Sequence, residues 1–183
     1  ISRILAGEQQ AYAVLLQRYR DRVMTLALRM LGDRSDAEEA SQDAFIRAFR
    51  SLHGFEHRAR FSTWLYRITY NVCASRLARR RPITTPLDLE DGQEPADETL
   101  PVDLEMERDE LQRAVSAAIE RLRPEYAGMI TLFYLHEQSH EEITAITGLP
   151  LGTVKNRLHR ARNELKLLLR QDPRPVTTGD TDI

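Results

Sequence analysis

The stretch from Pro82 to Glu107 constrains this chain most. It holds nine acids, no base and four of the eight prolines, at positions 82, 86, 95 and 101. Such a segment cannot bury enough apolar surface to offset the entropy of ordering it. It therefore reads as an extended linker. The remainder divides into a first domain over 1–81, a second over 108–172 and a polar tail over 173–183, with length for two small cores.

The linker also explains a misleading total. The formal net charge is -2. Residues 1–57 are neutral, 58–81 carry +7, 82–107 carry -9, 108–152 carry -3 and 153–183 carry +3. Two basic segments separated by an acidic one point to nucleic-acid contact at separate places. Only one cysteine is present, Cys73. That excludes an intrachain disulfide and a cysteine zinc site, and fits a reducing compartment. No membrane-length apolar run and no secretory signal is evident, so a cytoplasmic location is expected. The chain starts at Ile1, and a few native residues are expected to precede it.

Eight glycines and 7% aromatics suit helices better than strands. The expected fold is all-α. Residues 8–31 place Ala11, Val14, Leu15, Val23, Leu26, Ala27, Met30 and Leu31 at helical spacing, with Gly32 as the stop. Ser35 and Glu38 have the spacing of a capping box for a helix to Leu52. Ala37, Ser41, Ala44, Ala48 and Leu52 form its inner face, beside Phe45. Its outer face carries Glu39, Gln42, Asp43, Arg50 and an apolar Ile46, either a partner surface or an ordinary exposed residue. A third helix is expected from Thr63 to Arg80, with Leu65, Ile68 and Val72 inward and Arg67, Asn71, Ala74 and Ala78 on another stripe. Phe55, Phe61, Trp64, Tyr66 and Tyr70 lie among arginines. A single strand needs that combination: bases stack on rings at about 1–3 kcal/mol each while Arg holds phosphates. For Trp64 a core position competes with a stacking one.

The second domain reads as four helices: about 104–121, one opened by Pro124, a short one capped by Ser139 and Glu142, and a long one from Pro150 and Gly152 to Leu169. Gly148 can end the short helix in a left-handed conformation. Short helix, glycine turn and second helix make a helix-turn-helix, here of winged-helix-like type. Val154, Leu158, Ala161 and Leu165 dock inward. Asn156, His159, Arg160 and Asn163 stand opposite, flanked by Lys155 and Arg157, residue types that read guanine and adenine in the major groove.

These motifs together resemble a bacterial sigma factor of the extracytoplasmic-function class, the smallest members of the sigma-70 family. The resemblance covers residues 8–170. AEEASQDAFIRAFRSL (37–52) is similar to the segment that docks on the β′ clamp of RNA polymerase. FSTWLYRITYN (61–71) is similar to the segment that opens the minus-ten element. SHEEITAITGLPLGTVKNRLHRAR (139–162) resembles the reader of the minus-thirty-five element. Carried over residue by residue, Glu39, Gln42, Asp43 and Ile46 would dock on polymerase. Arg58, Arg60, Phe61, Ser62, Trp64, Asn71 and Arg76 would contact the minus-ten strand, with loop 53–62 around a flipped base. Lys155, Asn156, Arg157, His159 and Arg160 would touch the minus-thirty-five duplex. Thr144 stands where the family often has Ala.

The implied function is transcription initiation. The implied partners are core RNA polymerase, through its β′ clamp and β flap, promoter DNA and an anti-sigma factor, with no membrane insertion, no metal and no cofactor. The two elements lie about 60–70 Å apart, two helical turns. The linker reaches about 85 Å fully stretched and averages about 28 Å as a relaxed coil; the resemblance threads it through the polymerase cleft. One rival is a free-standing helix-turn-helix regulator, which leaves 61–81 and the linker unexplained. The other is an enzyme. Against it, His53, His57, His136, His140 and His159 are scattered, Cys73 has no visible base and no glycine-rich phosphate loop appears.

Overall fold

The computed structural model describes residues 1, 4, 8–56, 59–80 and 108–171. The expected linker, the tail and Arg58 lie outside the described residues. The elements are α1 (Gln9–Leu31), α2 (Arg34–Ser51), a 3-10 turn (Leu52–Gly54) and α3 (Phe61–Arg80) in the first domain. The second domain has α4 (Arg108–Arg121), α5 (Pro124–Ile130), a π-helical turn (Thr131–Leu135), α6 (His140–Thr147) and α7 (Leu151–Gln171). No strand occurs among the described residues, so the helix-turn-helix carries no wing there.

Local chemistry sets the helix ends. Gly32 stops α1 with φ 72°, its N–H donating to the Leu28 carbonyl at 2.8 Å. The expected capping box at Ser35 and Glu38 does not form. Asp33 caps α2, accepting from the Asp36 N–H at 2.9 Å. A cap needs non-helical backbone, and Asp33 is the extended residue between Gly32 and the helix. Ser35 is already inside the first turn, and the Glu38 carboxylate instead accepts from Arg34 at 3.0 Å. The second box forms as expected. Ser139 Oγ accepts from the Glu142 N–H at 3.1 Å, and Glu142 Oε2 accepts from the Ser139 N–H at 2.9 Å. Gly148 closes α6 at φ 74°. The π-helical turn was not legible in the sequence; it ends at Leu135, capped by His136, and is followed by Glu137 at φ 54°, with the Gln138 N–H donating to the Leu132 carbonyl at 3.0 Å.

The first core joins Val23, Leu26, Ala27 and Met30 of α1 with Ala37, Ala40, Ala44 and Ala48 of α2 and Leu65 and Val72 of α3. The alanines bring α2 close to its neighbours. A second cluster joins Ala118, Ile119 and Leu122 to Tyr126, Ala127, Ile130, Ala161 and Leu165. The two cores are not separate domains in isolation. The first cluster continues through Met129, Leu132, Ile143, Ile146, Val154 and Leu158 of the second domain. This happens because α3 packs against α1, α2 and α6 at once, burying Tyr66, Thr69 and Cys73 beside Leu65 and Val72 of the expected inner stripe, whose third member, Ile68, is half-buried.

Asp33→Ala should cost about 1 kcal/mol of stability, while Ser35→Ala should stay within about 0.5 kcal/mol of the parent. Urea denaturation of the two variants checks the assignment of the cap.

Candidate nucleic-acid interface

At the start of α3 the aromatic side chains assemble into one cluster. Phe61 and Trp64 lie one turn apart on the helix, with ring centroids 5.5 Å apart. Phe55 reaches in from the preceding turn, at 5.7 Å from Phe61 and 5.2 Å from Trp64, and Tyr19 of α1 meets Phe61 at 5.4 Å. Phe55 is buried, whereas Phe61, Ser62 and Trp64 are half-buried. Trp64 is thus neither a sealed core residue nor a free stacking ring. Asn71 and Arg67 are exposed on the same helix.

The arginines divide into two groups. Arg60 is exposed, with its guanidinium 3.8 Å from Glu142 of the second domain. Arg76 is held by its own domain. It donates to Glu39 at 3.0 Å and to Asp43 at 2.7 Å, and these carboxylates raise its pKa further. Arg80 pairs in the same way with Asp36. The arginine expected on the strand and the acids expected on polymerase are therefore one network, which fixes α2 against the end of α3.

On the outer face of α2, Glu39, Gln42 and Ile46 are exposed and Asp43 is half-buried. Phe49 extends this face and is 46% exposed. Its ring meets Tyr12 at 4.7 Å, and the Tyr12 hydroxyl donates to the Phe45 carbonyl at 2.7 Å. The signal for Phe49 was its spacing, one turn beyond Ile46 and two beyond Gln42.

In the second domain α6 and α7 form the expected helix-turn-helix, and Val154, Leu158, Ala161 and Leu165 are all buried. Lys155 is exposed; Asn156, Arg157, His159 and Arg160 are half-buried along the outer side. The Asn163 amide and His159 Nε2 are 2.9 Å apart, a turn-to-turn contact that orients the ring. The Thr144 hydroxyl is buried without a partner. Among the described residues no group of acids, histidines and cysteine could hold a metal, and no helix is long and apolar enough to cross a membrane. Burial pushes the Cys73 thiol up to about 12, which leaves it a packing residue.

The family profile of sigma-70 region 2 matches residues 15–83, and that of sigma-70 region 4 matches residues 112–165. The ECF RNA polymerase sigma factor SigW of Bacillus subtilis is 37% identical over 179 residues, 93% of this chain and 95% of that protein. The chain belongs to the extracytoplasmic-function class of the sigma-70 family. The ECF RNA polymerase sigma-E factor of Escherichia coli is 35% identical over 183 residues, with 93% and 95% covered. Among solved structures, CnrH in complex with the cytosolic domain of CnrY is similar over 94% of this chain and 96% of that one, with a TM-score of 0.65 and 26% identity. Region 2 thus comprises most of α1 with α2 and α3, and region 4 spans α4 to α7.

Region 4 of this sigma factor packs on the start of α3. Thr63 Oγ1 donates to Gln138 Oε1 at 3.2 Å and lies 3.4 Å from Glu142. The Tyr66 ring stacks on His136, with centroids 4.7 Å apart and planes 18° apart. Burial raises the Tyr66 pKa while the Arg22 guanidinium beside it acts the other way; the pair stops short of hydrogen-bond geometry, and the hydroxyl has no partner. Burial, with Arg22 adding to it, lowers the pKa of His136 to about 4. His136 is therefore neutral in the packed state, and the stability it supports is present above its ordinary value of 6.5.

That contribution should be lost as pH falls from 6.5 toward 4. Denaturation midpoints across this range should drop, and His136→Phe, which keeps a ring on Tyr66, should flatten the dependence.

Proposed function

We propose that this factor binds core RNA polymerase and directs it to promoters, reading the minus-thirty-five element as duplex and the minus-ten element as melted strand. One observation carries the reading. A single chain holds a helix-turn-helix with a basic outer side and, in a different domain, an aromatic cluster next to Arg60 at the start of a helix that also carries the exposed Asn71. A duplex reader alone has no use for the second feature.

Lys155, Asn156, Arg157, His159 and Arg160 would enter the major groove, α7 docking through its apolar side. Arg60, Phe61, Ser62, Trp64 and Asn71, with Arg58, would receive the non-template strand. Unstacking one base costs a few kcal/mol; stacking at about 1–3 kcal/mol per ring and phosphate contacts offset it. Arg76 would act by holding α2 and α3 together. Glu39, Gln42, Asp43 and Ile46, extended by Phe49, would dock on the β′ clamp, and region 4 on the β flap. The chain supplies binding and strand capture; covalent chemistry belongs to polymerase. CnrH was solved bound to a cytosolic domain of another protein, which supports an anti-sigma partner here too.

Run-off transcription with purified core polymerase on genomic DNA tests the function. Arg160→Ala should weaken the upstream footprint about tenfold, the loss of one base or phosphate contact, without changing affinity for core. Ile46→Asp should lower affinity for core and, with it, the promoter footprint, while the fold survives. Duplex binding at full strength without polymerase would favour a free-standing regulator instead.

A further inference from the structure

We propose that Asn163 is a positioning residue for base reading: its amide holds the His159 imidazole as a fixed hydrogen-bond donor, so that α7 rejects cytosine where His159 meets the minus-thirty-five duplex. The discrimination between bases rests on the duplex-reading role of α7 proposed above. The fixing of the ring does not.

Val154, Leu158, Ala161 and Leu165 seat one side of α7 in the core. Asn156, His159 and Asn163 follow one another at i, i+3 and i+7 on the opposite side. A recognition helix meets base edges with its N-terminal residues. Lys155 and Asn156 lie in the second turn of α7 and His159 in the third. Asn163 stands about 12 Å behind Lys155 along the axis, at about 1.5 Å per residue, which places it behind the base-reading end. What Asn163 does reach is His159. Four residues apart, the two side chains are neighbours on the helix surface, and Asn163 Nδ2 donates to His159 Nε2 at 2.9 Å.

The direction of that bond decides the chemistry. An amide nitrogen only donates. Nε2 therefore accepts, and the proton of the neutral ring sits on Nδ1. The other edge of His159 is then a donor. A neutral imidazole with no such partner exchanges its two tautomers and offers either a donor or an acceptor to the same base. Pairing with Asn163 removes the second option. In the major groove guanine presents N7 and O6, adenine N7 and thymine O4 to a donor, whereas cytosine presents its N4 amino group. A fixed donor thus finds an acceptor on three bases and another donor on the fourth.

Asn163 is exposed and His159 half-buried, so the pair lies on the surface of a finished helix and its loss leaves the core untouched. A pair that only stabilised the helix would act alike on every DNA sequence. A pair that fixes a donor acts at one base pair.

The probe is a duplex library randomised through the minus-thirty-five and minus-ten segments, selected with core polymerase carrying the full chain. Wild type should deplete cytosine at one upstream position about fivefold, the effect of one hydrogen bond. Asn163→Leu should restore cytosine there and leave the other positions as they were. Asn163→Gln, which keeps a donating amide, should return toward the wild-type profile. In a His159→Phe background Asn163→Leu should change nothing, because the ring it acts through is gone. Nitrogen NMR of His159 in alkaline buffer should place the proton on Nδ1 in wild type and show both tautomers in Asn163→Leu. A wild-type ring with its proton on Nε2 overturns the fixed donor. An upstream profile that Asn163→Leu leaves unchanged, or alters equally in the His159→Phe background, overturns the positioning role. If wild type enriches no upstream sequence while NMR still places the proton on Nδ1, the duplex reading has failed and the base discrimination with it, whereas the fixed ring stands.

Discussion

The structure depends on α3 being covered from two sides. One side supplies Leu65 and Val72 to a core lined by α1 and the alanines of α2. The other presents Thr63 and Tyr66 to region 4, where Gln138, Glu142 and His136 meet them. A helix with one buried stripe is an ordinary surface element. A helix covered twice ties the two domains together.

Much of the local architecture was legible because it is written in short-range chemistry. Gly32 and Gly148 end helices through left-handed backbone, Pro124 opens one, and Ser139 with Glu142 form a reciprocal cap. The inward stripe of α7 follows from spacing alone. Where short-range signals compete, the nearer geometric constraint prevails: Asp33 adjoins the Gly32 stop and takes the cap for which Ser35 has the right spacing. The burial of Thr69 and Cys73 was not legible, because the period of α3 alone does not say whether a second side will be covered.

The same distinction applies to the candidate site. The outer face of α2 follows from helical spacing, and the aromatic cluster from composition around 55–64. Pairings across helices do not. Arg76 lies among basic residues in sequence, which suggested a phosphate ligand, yet folding brings it to Glu39 and Asp43, 37 and 33 residues away. The pairing of Arg60 with Glu142 spans the two domains and the linker between them. Opposite charges are segregated along the chain, but only tertiary structure decides which of them meet.

The doubly covered α3 is most directly tested by a distance. Spin labels at Arg67 of α3 and Ala145 of α6, both exposed, report the separation of the two helices by double electron–electron resonance. A single short distance in the free chain, lost when the chain joins core polymerase on promoter DNA, is the expected result. A broad spread of long distances in the free chain, or the same short distance in the promoter complex, would contradict the account.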